Sequence, residues 1–186
     1  NRINDLLAFS RGIMSGGDGR ELMDRYRDAI DNMTPHDMLA MEDRQLQLGI
    51  TPGAIKKDIE KVINTFFKSL AKYPWEKPQP DSFLGHLMQE NRALAEKLQQ
   101  IKEVLKNYRG EEEQSFRQMK PELLEKFRQL QEFEPHYVKK ENILFPYLEK
   151  GWEHYRPLAV MWSLHDDIRR ALKQMLTLLE NPASTW

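Results

Sequence analysis

Apolar residues recur at helical spacing along most of this chain, and no stretch alternates with the period of two that a strand requires. Residues 1–20 open with a short apolar patch, Ile3, Leu6, Leu7 and Phe9, followed by the glycine-rich run Ser15 to Gly19. The spacing then predicts a helix over about 20–33, with Leu22, Tyr26, Ala29, Ile30 and Met33 on one face. Thr34-Pro35, with Asp37 in the capping position, has the form of a helix start. That short helix is expected to end at Gly49. Thr51-Pro52 repeats the start signal, and the third helix carries a stripe of Ile55, Ile59, Val62, Ile63, Phe66, Phe67 and Leu70.

Tyr73 to Pro80 holds three prolines in eight residues and reads as an extended linker. A domain boundary is placed there, with a small N-terminal helical domain at 1–76 and a second domain at 77–186. Three longer helices are predicted after it. The first runs over about 82–108, with Phe83, Leu87, Leu94, Leu98, Ile101, Leu105 and Tyr108 inward. The second covers about 112–149, with kinks at Pro121, Pro135 and Pro146. The third covers about 156–179, with Leu158, Met161, Ile168, Leu172, Met175 and Leu179 inward. Short loops between them favour antiparallel neighbours, an all-α up-down bundle in which no fourth helix is evident.

Composition narrows the class. Hydrophobic residues at 40% and charged residues at 31% suit a soluble helical protein rather than a disordered one. Lys and Arg number 28 against 29 Asp and Glu, a balance that draws the chain to neither nucleic acid nor an anionic membrane. With no cysteine, disulfides, thiolate ligands and cysteine nucleophiles are excluded, which is compatible with the cytoplasm. No apolar run approaches the roughly 20 residues that span a bilayer. A Ser-His-Asp set, a phosphate-binding glycine loop and an HExxH motif are all lacking, so no catalytic residue is singled out.

Candidate chemistry lies on the three longer helices. Glu141 falls within the stripe of Tyr137, Leu144 and Leu148, where a carboxylate is costly unless paired, protonated or bound to a metal. His136 precedes it by five residues, which leaves the two about 140° apart on a regular helix. His86 and Glu90 are four apart and share a face. His165 lies on the line of Leu158, Met161, Ile168 and Leu172. Each has a plainer meaning: a boundary His–Glu pair, a carboxylate paired with Lys139 or Lys140, and a core histidine. Three helices each bringing a histidine inward, two of them with a carboxylate, point instead to a metal site. Imidazole with carboxylate and no sulfur suits iron, zinc or manganese. His154, in the GWEHY turn, and His36, in the first turn of a short helix, are assigned surface and structural roles.

FLGHLMQENRAL, HYVKKENILFPYLEK and VMWSLHDDIRRAL together resemble the hemerythrin-like, or HHE cation-binding, family over about residues 80–180. MLAMEDRQLQLGITPGAIKKDI, before them, is similar to the domain of unknown function 438, which commonly precedes a hemerythrin-like domain in bacterial proteins. The resemblance implies a four-helix bundle with a non-haem di-iron centre that binds oxygen or a related small ligand. It carries His86, His136, Glu141 and His165 over as ligands, with Glu90 as a further candidate. Two positions depart from the family pattern: Lys140 stands where the second helix usually has its glutamate, and Met161 where the third often has a second histidine. The expected function is a sensing or signalling module that binds oxygen, nitric oxide or a similar ligand. The alternatives are a metal-dependent enzyme or iron-handling protein, acting in nitric oxide or peroxide reduction or iron–sulfur repair, and a metal-free helical interaction module. The N-terminal helices, a second copy of the chain or residues beyond Trp186 are the candidate sources of the missing helix, and a homodimer or a further, PAS-like domain beyond the C-terminus is the expected partner.

Overall fold

Helices begin where the capping residues stand. The computed structural model describes residues 1–107 and 113–181, with side chains at all of these except 113–115. Tyr108 and Glu112, expected at the ends of two long helices, lie outside them. Among the described residues the secondary structure is all helix and turn, with no strand. No helix among them is long and apolar enough to cross a membrane.

The N-terminal apolar patch is itself a helix, α1 (Arg2–Met14). The Asn1 side chain caps it, and Leu6 and Phe9 are completely buried. The helix expected over 20–33 divides at Tyr26 into α2 (Gly19–Arg25) and α3 (Arg27–Asp31), because Tyr26 leaves helical geometry at φ −109° and ψ 18°. In α4 (Pro35–Gln47), Thr34 and Asp37 form a reciprocal capping box. It ends at Gly49, whose φ of +84° is the left-handed conformation glycine adopts without a Cβ penalty. Ile50 N–H then reaches Gln45 O, and Gly49 N–H reaches Leu46 O, closing a Schellman motif. Thr51 caps α5 (Pro52–Lys57), and α6 (Ile59–Lys72) follows after a break at Asp58.

These elements bury one apolar cluster of Leu6, Phe9, Ala29, Ile30, Met33, Met41, Val62 and Phe66. The Phe9 and Phe66 rings lie 5.7 Å apart, and Ser69 Oγ donates to the Ile30 carbonyl at 2.6 Å. Ile63 and Phe67, on the predicted α6 stripe, are exposed instead.

By compactness the chain does not split into two consecutive blocks. One unit holds Asn1–Trp75 together with Phe145–Leu164, and the other holds Glu76–Leu144 and the chain from His165 on. The first unit explains why the later segment joins it. Asp43 of α4, 1% exposed, accepts from the Arg156 guanidinium at 3.1 and 3.2 Å and from its backbone N–H at 3.2 Å. Gln47 donates to the same carboxylate at 2.6 Å, and Lys56 Nζ reaches the Ser163 carbonyl at 3.3 Å.

The second unit contains the long elements α7 (Phe83–Lys106), α8 (Glu113–Gln131) and α9 (Glu134–Lys139). A π-helical turn over Lys140–Leu144 leads from α9 into α10 (Phe145–Gly151), and α11 (Leu158–Glu180) follows. The break expected at Pro135 falls at Glu132–Phe133, with Pro135 in the first turn of α9. At Pro121 the expected kink does not appear as a break: α8 runs through it, between the buried Phe116 and Leu123. Side-chain pairs give the direction of the rods: Lys97 with Gln129 and Glu90 with His136 run α7 antiparallel to α8–α9. Arg128 with Glu180 and Glu134 with Arg169 run α11 antiparallel to the same rod.

Ile101, Phe116, Leu123 and Leu179 form the apolar core of this unit. Phe83, Leu98, Leu105 and Ile168, expected inward, are exposed by 38–47%. Their stripes are wider than the seams on which these helices pack. At the head of α7, Ser82 caps the Gly85 N–H, and the linker backbone passes so close that a Cβ on Gly85 would lie 2.1 Å from the Gln79 carbonyl oxygen.

Candidate metal centre

Five residues were expected at the site, and the structure sorts them into two His–carboxylate pairs and an outlier. His136, on α9 and 2% exposed, donates through Nδ1–H to Glu90 Oε2 of α7 at 2.8 Å. His165, on α11 and 2% exposed, donates through Nδ1–H to Glu141 Oε1 at 2.8 Å. His86, one turn before Glu90, is exposed and takes no part in either pair.

The five-residue step on the middle rod runs from α9 into a π turn. A regular helix turns 100° per residue, so residues five apart diverge. A π turn closes its hydrogen bond over five residues instead of four, which absorbs the extra one. Lys140–Leu144 adopt that turn immediately after α9, and both His136 and Glu141 are buried. Both are buried toward different neighbours, His136 toward Glu90 of α7 and Glu141 toward His165 and Arg169 of α11.

Glu141 has more partners than the chain pattern suggested. Arg169, one turn beyond His165 on α11, donates Nη1–H to Oε1 and Nη2–H to Oε2, both at 2.8 Å. Its Nε–H also reaches Glu134 Oε1 at 2.9 Å, and its guanidinium lies 5.7 Å from the centre of the Tyr137 ring. Burial pushes the Glu141 carboxyl up, but the hydrogen bonds and charges of Arg169 and His165 outweigh it and hold the group below the usual carboxylate range. Burial pushes His165 down more than Glu141 raises it, which favours the neutral ring. Glu90 follows the same logic as Glu141: burial raises it, while Lys139 and His136 bring it below its ordinary value. Of the two lysines weighed as plainer partners for Glu141, Lys139 is bonded to Glu90 instead.

Tyr137 lines the space between the two histidines. Its ring stands edge-on to His136 at 5.7 Å and to His165 at 4.8 Å between centroids. Arg169, Glu134 and Tyr137 were not singled out from sequence. The i, i+4 step from His165 to Arg169 was the one available signal, since it places both on one helix face.

The donor set fits a divalent cation of intermediate hardness. Two imidazoles and two carboxylates lie on α7, α9, the π turn and α11, and three of the four are almost wholly buried. With Nδ1–H donated to a carboxylate, the lone pair of a neutral imidazole is on Nε2, the arrangement that orients metal-binding histidines. Among the described residues no three His, Cys, Asp or Glu side chains already converge as one coordination group. His154 and His36 belong elsewhere: His154 Nδ1 is 3.5 Å from Asp43, and the His36 ring stands edge-on to Tyr73.

Fold and donor set together define an all-α module built around buried histidine–carboxylate pairs. The Hemerythrin HHE cation binding domain matches residues 82–186, more than half of the chain, and the chain belongs to that family. It is a cation-binding helical module. No curated protein and no solved structure gives a significant match. Residues 1–81 lie outside the family match.

Proposed function

We propose that this chain is a non-haem iron-binding module, of the di-iron type, that takes up oxygen, nitric oxide or a related small ligand in a bacterial, cytoplasmic sensing or signalling protein. The observation that carries the reading is the pair of His–carboxylate contacts on two buried imidazoles, His136 with Glu90 and His165 with Glu141. His136, His165, Glu141 and Glu90 would hold the metal, with His86 recruited as an outer ligand; zinc or manganese suits the same donors. A ferrous centre bound there supplies redox chemistry and open positions for a small ligand. The chain's own residues supply the rest. The carboxylates fix each imidazole's tautomer and ring orientation, Glu141 contributes negative charge, and Tyr137 fills the space beside both rings. Residues 1–76, similar to the domain of unknown function 438, would report the state of the site to a second copy or a further domain.

Metal analysis and an optical spectrum of protein purified without oxygen test this. Stoichiometric iron, with near-ultraviolet bands that change on adding oxygen or nitric oxide, is the expected result. Catalytic turnover of peroxide or nitric oxide would move the assignment to an enzyme. A second reading, a metal-free interaction module, has one observation in its favour: each carboxylate already holds a side-chain cation, Arg169 on Glu141 and Lys139 on Glu90. No bound metal after anaerobic iron loading would establish that reading and remove the first.

A further inference from the structure

Glu141 is 6% exposed, and an isolated carboxylate at that depth would be strongly destabilising. Arg169 offsets its charge with a two-bond fork. Oε1 accepts from both His165 and Arg169, so both of its lone pairs are engaged, and Oε2 accepts from Arg169. A divalent ion using this carboxylate meets a positive charge already seated on it.

Arg169 also has anchors that do not depend on Glu141. Its Nε–H bonds to Glu134, itself half exposed, its guanidinium lies near the Tyr137 ring, and its side chain is 29% exposed. The guanidinium can leave Glu141 and keep a counter-ion, a ring contact and water.

We propose that Arg169 is a displaceable resident cation: it neutralises Glu141 in the metal-free protein, competes with the incoming divalent ion for that carboxylate, and stays tethered to Glu134 once displaced. This rests on the cation-binding reading with Glu141 as a ligand. It makes metal occupancy and the Arg169–Glu141 ion pair mutually exclusive, so that filling the site rearranges the contact between α11 and the π turn. The alternative role, a support that holds Glu141 in position for the metal, predicts the opposite sign, since losing such a support weakens metal binding by about 10–100-fold.

Zinc(II) is the probe, being redox-inert, and its affinity is measured against a chromophoric chelator for the full chain and for Arg169→Gln, Arg169→Lys and Glu134→Gln. Removing the competitor in Arg169→Gln should tighten zinc binding by roughly tenfold or more, the size of one charge-assisted pair. Arg169→Lys, which keeps the charge and loses the fork, should fall between. Glu134→Gln should weaken binding, because the displaced guanidinium loses its acceptor. Metal-free Arg169→Gln should melt below the parent, and the two should converge when loaded with zinc. If Arg169→Gln binds zinc no more tightly than the parent, the proposal is overturned while the cation site stands. If Arg169→Gln does not fold, equal affinities in the parent and Arg169→Lys overturn it. Zinc bound by none of these proteins overturns the cation-binding reading and the proposal with it.

Discussion

Arg169 of α11 grips Glu141 of the π turn through both carboxylate oxygens at 2.8 Å, while His165 shares the first of those oxygens at the same distance. Three donors thus converge on one carboxylate that is almost sealed from water. Replacing Glu141 with Ala strips the shared acceptor from a buried imidazole and a guanidinium. The metal-free protein should lose about 2–4 kcal/mol, the lower part of that range because Arg169 keeps some solvent and Glu134. Urea denaturation measures it. A loss below about 0.5 kcal/mol would mean the network does not hold these helices together.

The π turn predicts an unusual tolerance. Deleting Lys140 shortens the His136-to-Glu141 step to four residues and lets a regular helix put both on one face. The deletion should keep zinc affinity within about threefold of the parent by the same register argument, and a one-residue insertion after Lys140 should reduce it at least tenfold. If the deletion abolishes binding, the π geometry has a role beyond register.

His86 and His136 should behave differently although both were read as ligands. His136 is 2% exposed and bonded to Glu90, whereas His86 is exposed. In the metal-free protein, His136→Ala should cost about 1–3 kcal/mol and His86→Ala less than about 0.5 kcal/mol in thermal or urea unfolding. Zinc titration of the same variants adds the decisive comparison. Equal losses of affinity would show that His86 turns inward when the ion binds.

Glu42 of α4 gives the N-terminal unit its own pH dependence. It is 8% exposed, and burial pushes its carboxyl up to about 7 from an ordinary 4.5. The neutral form is therefore the one the fold prefers. Between pH 4.5 and 7 the folded protein holds a proton that the unfolded chain releases, so this residue's contribution falls as pH rises through that window. Glu42→Gln should flatten the slope and stabilise the protein at pH 8 by about 2–3 kcal/mol. The comparison is denaturant unfolding of both proteins at pH 5 and pH 8. An unchanged slope would place the Glu42 carboxylate in water.

Much of the frame is written locally. Thr34, Asp37 and Thr51 cap the helices that their positions announced, because a cap acts within one turn of chain. The depth of Glu141 and His165 was also readable, since each interrupts an apolar stripe and both are buried. The α1 helix was less legible: only Leu6, Phe9 and Ser10 of its thirteen residues are buried, so its apolar signal is thin and packing completes it.

What the chain pattern could not decide was who meets whom. Periodicity assumes a constant 100° per residue, so it cannot foresee the π turn that carries Glu141. It offered lysines next in sequence as partners for Glu141, yet the partner is Arg169, 28 residues away on another helix. It also marked Leu98, Leu105 and Ile168 as inward, whereas the packed seams are narrower than the stripes. The sequence by itself determined where helices start, which residue types line them and that imidazole and carboxylate would be buried together. Only the tertiary structure decided the pairing, because hydrogen bonds between rods depend on helix placement and turn geometry that no single segment encodes.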